Sequence, residues 1–326
     1  MPLFSKNSLI LRLVPPNLLI FYFRTIEIYN MKRILLILPL LVLLFSCGGL
    51  SKDGQKSEKY DYTDDYGMTV RVPKNPKRVV SLSPAVTEIM FALGADSILV
   101  GRTEFCVYPP EASQIENIGG ISNLNIEKVL SCQPDLIISG SMVPQKVVKQ
   151  FADMGVPLVS VIEKPHFEGL YENITKIGGL VGRKDRAETL NKSLRSRLEQ
   201  IMKQVDVDDE NRPTVYYVVG FGSGGNFTAG GNTFINEIID MAGGYNIACD
   251  SEGWSYSLEA LMQADPDFIL IRAEDSARFC QSSPYNTLSA VKKGRMVSLH
   301  DGILDLQVPR NLEVIQILCD RFSTKD

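Results

Sequence analysis

The amino-acid sequence predicts an α/β protein of two related lobes, each built on a parallel sheet, joined by a helical connection. Three observations predict it. Short, continuously apolar, β-branched runs alternate with helical patterns, as strands buried on both faces of a parallel sheet require. One stretch of the first half recurs in the second. Residues 167–205, between the halves, carry helical periodicity and no strand pattern. The 326 residues are 44% apolar and 22% charged, which excludes collagen-like, low-complexity and wholly disordered chains. The length suffices for two domains with real cores.

Residues 1–30, with Pro15-Pro16 and Arg12 inside an apolar stretch, read as upstream sequence ahead of a start at Met31. Met31-Lys32-Arg33 is a short positive region, followed by the apolar run Ile34 to Phe45, so residues 31–46 have the layout of a secretory signal. The run is too short for the roughly 20 residues of a spanning helix. Leu44-Phe45-Ser46-Cys47 resembles a bacterial lipobox, in which Cys47 becomes the lipidated first residue. Ordinary cleavage beside an incidental cysteine is the alternative. Taking away residues 1–46 removes five basic residues and one acidic residue, and moves the net charge from −4 to −8. Such a chain is held to a membrane by lipid rather than by basic residues. The same charge argues against a nucleic-acid partner. Residues 47–60 are polar and Gly/Ser/Lys-rich, the composition of a flexible tether.

The N-terminal lobe is expected over 61–165, with strands at Arg78–Leu82, Ile98–Gly101, Leu136–Ser139 and Leu158–Ile162. A connecting helix is expected within 166–183. The C-terminal lobe, 184–326, has strands at Val215–Val219, Phe268–Ile271 and Met296–Leu299. Phe167 to Val181 and Ala187 to Val205 read as helices, the second with an apolar stripe of Ala187, Leu190, Leu194, Leu198, Ile201, Met202 and Val205. A helical joint predicts a small opening motion rather than a wide hinge swing. The repeat places Asn125-Ile-Glu127 and Pro134-Asp135 against Ser257-Leu-Glu259 and Pro266-Asp267. It also places Thr87-Glu88 and Gly94 against Asn236-Glu237 and Gly243. Cys106, Cys132, Cys249, Cys280 and Cys319 show no CxxC and no zinc spacing. Their pairing stays open, and an odd count leaves one thiol free if all pairing is internal.

The chemistry is bounded by what is missing. His166 and His300 are the only histidines, too few for an imidazole metal site, and each reads as a surface or capping residue. There is no GxSxG. Gly220-Phe-Gly222-Ser-Gly224-Gly225 fits GxGxxG, but the chain continues as loop and helix resumes only near Phe234. A pyrophosphate would find no helix N-terminus there. The stretch reads instead as a flexible, glycine-rich binding loop at a strand end. Glu127 and Glu259 sit two residues beyond the N-caps Asn125 and Ser257, where a carboxylate complements the helix dipole. As a matched pair, one per lobe, they also suit a two-fold partner presenting an arginine to each.

Lys77-Arg78-Val79-Val80-Ser81-Leu82-Ser83-Pro84, Thr87-Glu88 and Leu93-Gly94 resemble the opening of the periplasmic binding proteins that serve ABC importers of metal chelates. Tyr108-Pro109-Pro110-Glu111-Ala112, Gly119-Gly120, Gly230 to Glu237, Gly243-Gly244-Tyr245-Asn246 and Pro309-Arg310 extend the likeness, over about Arg71 to Phe322. The resemblance implies two Rossmann-like lobes joined by a rigid interdomain helix, a ligand in the cleft, no enzymatic step and no resident cofactor. The ligand is itself a metal chelate: a cobalamin or corrinoid first, a ferric siderophore or haem otherwise. It further implies a permease and ATPase as partners, with Glu127 and Glu259 docking on permease arginines, and a membrane-anchored periplasmic lipoprotein. A monomer is expected. Thr103 to Pro110 is most like the cobalamin-binding members, whose cleft aromatics match Phe105, Ile121, Gly140 and Phe227 here, with Trp254 one residue off and Asp301 near the last cleft loop. An exported enzyme or surface interaction protein on the same fold is the remaining alternative.

Overall fold

The computed structural model describes residues 58–121, 124–140, 143–205, 211–300 and 302–323. The expected upstream segment, signal, Cys47 and most of the tether lie outside them. Two four-stranded parallel sheets form the lobes. The first comprises β3 (Val79–Ser81), β4 (Leu99–Arg102), β5 (Leu136–Ser139) and β6 (Leu158–Ser160), in the order β4-β3-β5-β6. The second comprises β7 (Thr214–Val218), β8 (Tyr245–Asn246), β9 (Phe268–Arg272) and β10 (Met296–Leu299), in the order β10-β9-β7-β8. Counted from its own first strand, each lobe runs second, first, third, fourth, so the sequence repeat is a repeat of topology. Helices α1 (Pro84–Ala92), α2 (Ile126–Ser131) and α3 (Gln145–Asp153) cross over in the first lobe. Next come α4 (Glu168–Leu180) and α5 (Lys184–Met202), then α6 (Phe234–Met241), α7 (Leu258–Ala264) and α8 (Ala273–Gln281) at matching places in the second lobe. Short α9 (Ser289–Lys292) and α10 (Asn311–Ser323) complete the chain.

The repeated Pro-Asp has a local reason. The Asp135 carboxylate accepts the backbone N–H groups of Lys77 and Arg78, at 2.7 and 3.0 Å, just before β3. The Asp267 carboxylate does the same for Thr214 at the start of β7, accepting its N–H at 2.9 Å and its hydroxyl at 2.8 Å. Each aspartate fastens the first strand of its lobe to the third.

Strand side chains alternate between two cores. Leu136 and Ile138 of β5, Val215 and Tyr217 of β7, and Phe268 and Leu270 of β9 enter one apolar cluster. That cluster continues from lobe to lobe through Leu170, Tyr171, Ile174 and Ile177 of α4. The opposite faces feed two separate clusters, one around Val80, Ile137 and Phe151 and one around Tyr216, Ile269 and Phe279.

Helix α4 spans the two lobes. At its start the Phe167 N–H donates to Glu237 of α6, at 2.7 Å. Just beyond its end Arg183 Nε donates to the Gly94 carbonyl behind α1, at 3.4 Å. Helix α5 packs back along it, with Ala187, Leu194 and Ile201 buried. Met202, read as part of the apolar stripe, is 46% exposed, whereas Ile201 beside it is buried and carries the stripe to the end of the helix.

An antiparallel hairpin precedes the first lobe, β1 (Lys59–Thr63) with β2 (Thr69–Pro73). Lys59 and Tyr60, read as tether, are therefore strand. Their polar composition concealed it, because only one face of the hairpin is covered. The hairpin turn grips the interlobe linker: Asp65 accepts the Ile162 N–H at 2.8 Å and the Lys176 ammonium at 2.6 Å. Burial pushes the Asp65 carboxyl up, but the Lys176 bond and the Ile162 amide hold it below the usual range.

Candidate ligand-binding site

Among the described residues, those read as ligand contacts lie beyond the carboxyl ends of parallel strands, where open α/β sheets hold ligands. In the first lobe the chain leaves β4 and turns at Thr103–Cys106, with the Cys106 N–H bonded to the Thr103 carbonyl at 3.1 Å. Thr103 and Cys106 point inward and share a 3.2 Å contact. Phe105 and Val107, between and beyond them, are 54% and 55% exposed. Phe105 and Val107 thus form an exposed apolar pair on a fastened loop. The Glu104 N–H donates to the Gly119 carbonyl at 3.0 Å, which sets the 119–121 loop beside this one. Ile121 ends that loop and packs partly against the apolar cluster under Val80. Gly140 follows β5 and is buried. A Cβ there would lie 2.9 Å from Ser83 Oγ, so the position has no room for an aromatic wall.

In the second lobe Phe227 forms antiparallel bridges with both Gly220 and Ser255. Its ring covers Gly220 and Gly225, where a Cβ would approach it to 3.1 and 3.4 Å. Trp254 lies on the adjacent loop segment, its carbonyl accepting the Thr228 N–H at 2.8 Å. Gly230 and Gly231 permit this pairing. They bond to Gly253 and Ser251 so closely that a Cβ would meet the Ser251 carbonyl at 2.3 Å or the Cys249 carbonyl at 1.8 Å. Phe227 and Trp254 remain 37% and 47% exposed, so neither is a core residue.

The glycine-rich stretch Gly220–Gly225 is fastened, contrary to its reading as flexible. The buried Tyr285 hydroxyl accepts the Gly222 N–H at 3.0 Å and donates to Asn226 Oδ1 at 2.6 Å. Phe221 stands edge-on to Phe279 and Tyr285. No helix starts before Phe234, so the stretch presents no pyrophosphate cradle.

The structure thus joins Phe105 with Ile121 in one lobe and Phe227 with Trp254 in the other, each pair through loop backbone. Asp301 lies outside the described residues. Glu127 and Glu259 are exposed in the first turns of α2 and α7. They follow side-chain N-caps, Asn125 accepting the Lys128 N–H at 3.0 Å and Ser257 accepting the Ala260 N–H at 2.9 Å. His166 lends its carbonyl to Gln307, and His300 is exposed. The five cysteines among the described residues are all free thiols. Those residues hold no cluster of three or more metal-ligating side chains, and no helix long and apolar enough to cross a membrane.

Sequence reasoning missed the clasp behind these loops. The segment 303–311 crosses from the second lobe to the first. Gln307 accepts the Lys164 N–H at 2.9 Å and donates to the carbonyls of Lys164 and His166, at 2.7 and 2.8 Å. Arg310 binds Glu88 of α1. Asp305 accepts from Tyr217 at 2.7 Å and Arg272 at 2.8 Å. Beside it, burial raises the Glu163 carboxyl to about 7, with Asp305 adding to the rise against a bond from Gln307. The signal for Glu88 was an acid inside the apolar run Ala85 to Ala95; nothing in the spacing named its partner, 222 residues away.

Residues 79–302 match the family model described as periplasmic binding protein. A Bacillus subtilis protein named as an uncharacterized ABC transporter substrate-binding lipoprotein, YvrC, is 30% identical over 86% of this chain and 92% of its own length. A cobalamin-binding protein of Halobacterium salinarum is 30% identical over 79% of this chain and 73% of its own. The crystal structure of a periplasmic heme binding protein from Pseudomonas aeruginosa superposes with a TM-score of 0.69 at 29% identity, covering 77% of this chain and 94% of that one. With two lobes of one topology, a helix running between them and this match across most of its length, the chain belongs to the periplasmic binding protein family.

Proposed function

We propose that this protein is the substrate-binding component of an ABC importer and captures a flat, largely apolar metal chelate between its lobes, a cobalamin or other corrinoid first. The carrying observation is the set of exposed aromatics, Phe105 from one lobe and Phe227 and Trp254 from the other, all on fastened loops beyond strand ends. Large exposed rings on rigid backbone bury much apolar area at small entropic cost. No bond is made or broken; the protein binds, carries and releases. The cobalamin-binding relative supports the corrinoid. The heme-binding neighbour supports a second reading, haem, for which Phe105 and Cys106 offer no customary iron ligand; a ferric siderophore is the third. The permease of the importer is the macromolecular partner, met by Glu127 and Glu259. Lipidation at Cys47 holds the protein at the membrane, in the periplasm.

The test is a titration of the purified protein with cyanocobalamin, haemin and a ferric siderophore. It follows the fluorescence of the single Trp254 and is repeated by calorimetry because these ligands absorb light. Saturable binding of cyanocobalamin alone establishes the corrinoid. Binding of haemin or the siderophore alone transfers the protein to iron uptake. Binding of none overturns the chelate reading.

A further inference from the structure

The loop that carries Phe105 is fastened by an arginine of the other lobe. Arg310 Nε donates to both carboxylate oxygens of Glu88, at 3.0 and 2.9 Å. Its guanidinium carbon lies 3.7 Å from the centre of the Tyr108 ring. Both charged side chains are buried, with 9% and 5% exposure. Tyr108 is three residues beyond Phe105. Between them Cys106 is held from below by Thr103 and by Thr87, the neighbour of Glu88 on α1. Helix α1 therefore supports the loop at two points, and the second exists only through Arg310.

A buried ion pair adds little net stability compared with apolar packing, yet removing one partner is costly. Its use is to specify geometry. Arginine suits this place because one planar group both hydrogen-bonds and stacks, which a lysine ammonium does not do. Beside the pair a cavity of about 390 Å³ is bounded by Phe91, Leu194, Arg197 and Glu313. It gives Arg310 room to withdraw, and Glu313 stands at its edge as a second carboxylate.

We propose that Arg310 is a positioning residue: it holds the 103–109 loop against α1 only while the lobes keep the orientation seen here, so the lobe angle sets the shape of the ligand wall. The experiment is amide hydrogen exchange on the ligand-free protein, comparing the native chain with Arg310→Lys, Tyr108→Ala and Tyr108→Phe. Arg310→Lys keeps the charge against Glu88, and Tyr108→Ala alters a half-buried side chain, so each preserves the fold. The expected result is exchange about ten-fold or more faster in 103–109 for Arg310→Lys and Tyr108→Ala, with Tyr108→Phe at the native rate and β7 and β9 unchanged. Unchanged exchange in the loop, or an equal rise everywhere, overturns the proposal. A second arm rests on the binding role proposed above. With cyanocobalamin or haemin, Arg310→Lys raises the dissociation rate about ten-fold and leaves association alone. An unchanged dissociation rate for a ligand that binds overturns the coupling, whereas failure of both ligands to bind overturns only the chelate reading and leaves the exchange result to decide.

Discussion

Four glutamates of the repeat divide their labour. Glu127 and Glu259 point to solvent from equivalent helix starts. Glu88 and Glu237, equivalent in α1 and α6, turn to the lobe boundary, one pairing with Arg310 and the other capping α4. The first pair was legible because N-cap spacing announces it. The second pair was visible only as a repeated letter, since its partners come from distant segments. The Glu163 carboxyl is raised by burial to about 7 in the fold, against an ordinary 4.5. A raised carboxyl stabilises the protein below the unfolded value, and that contribution is lost as pH climbs through the folded value. Burial pushes the Glu88 carboxyl in the same direction, against the lowering pull of its partner Arg310. Denaturation midpoints at pH values from about 5 to about 8 should therefore fall with rising pH, and fall less steeply in Glu163→Gln. An identical slope in that variant removes Glu163 from the account.

Elements were read with most success where packing and pattern agree. Leu136–Ser139 and Met296–Leu299 fall where apolar continuity put them: β5 is buried on both faces, and the edge strand β10 buries Val297 and Leu299 while leaving Ser298 exposed. The hairpin β1–β2 escaped because its Lys-Tyr-Asp-Tyr-Thr strand faces water along most of its length. Two-residue β8 was too short to show a pattern. The Gly220–Gly225 loop was placed correctly at a strand end, but the tyrosine that fastens it lies some 60 residues on, beyond local reading. At this scale the Pro-Asp staple is testable. Asp267→Ala leaves the Thr214 N–H and hydroxyl without their acceptor at the root of β7. It should lower stability by about 1–3 kcal/mol in urea unfolding. Asp135→Ala should cost a similar amount, and a variant as stable as the native protein would refute the staple.

For the whole molecule, the two-lobe arrangement was legible from repetition alone, whereas the clasp between the lobes was not. Glu127 and Glu259 belong here, since neither acts without the other if both dock on one permease. Uptake of the bound chelate into cells should be abolished in Glu127→Ala with Glu259→Ala, while the purified double variant keeps native ligand affinity. Normal uptake by that variant would end the docking role. A helix fastened at both ends, with a clasp beside it, also limits opening to a small rotation. The cluster that passes through α4 has a thermodynamic consequence. Lobes that share apolar side chains cannot melt independently, because exposing one strips the other of part of its interior. Heating should give one calorimetric transition rather than two, with van't Hoff and calorimetric enthalpies in agreement. Each lobe is in that sense the other's solvent: a cavity cut beneath β5 is felt as heat lability in β9, a strand of the other sheet.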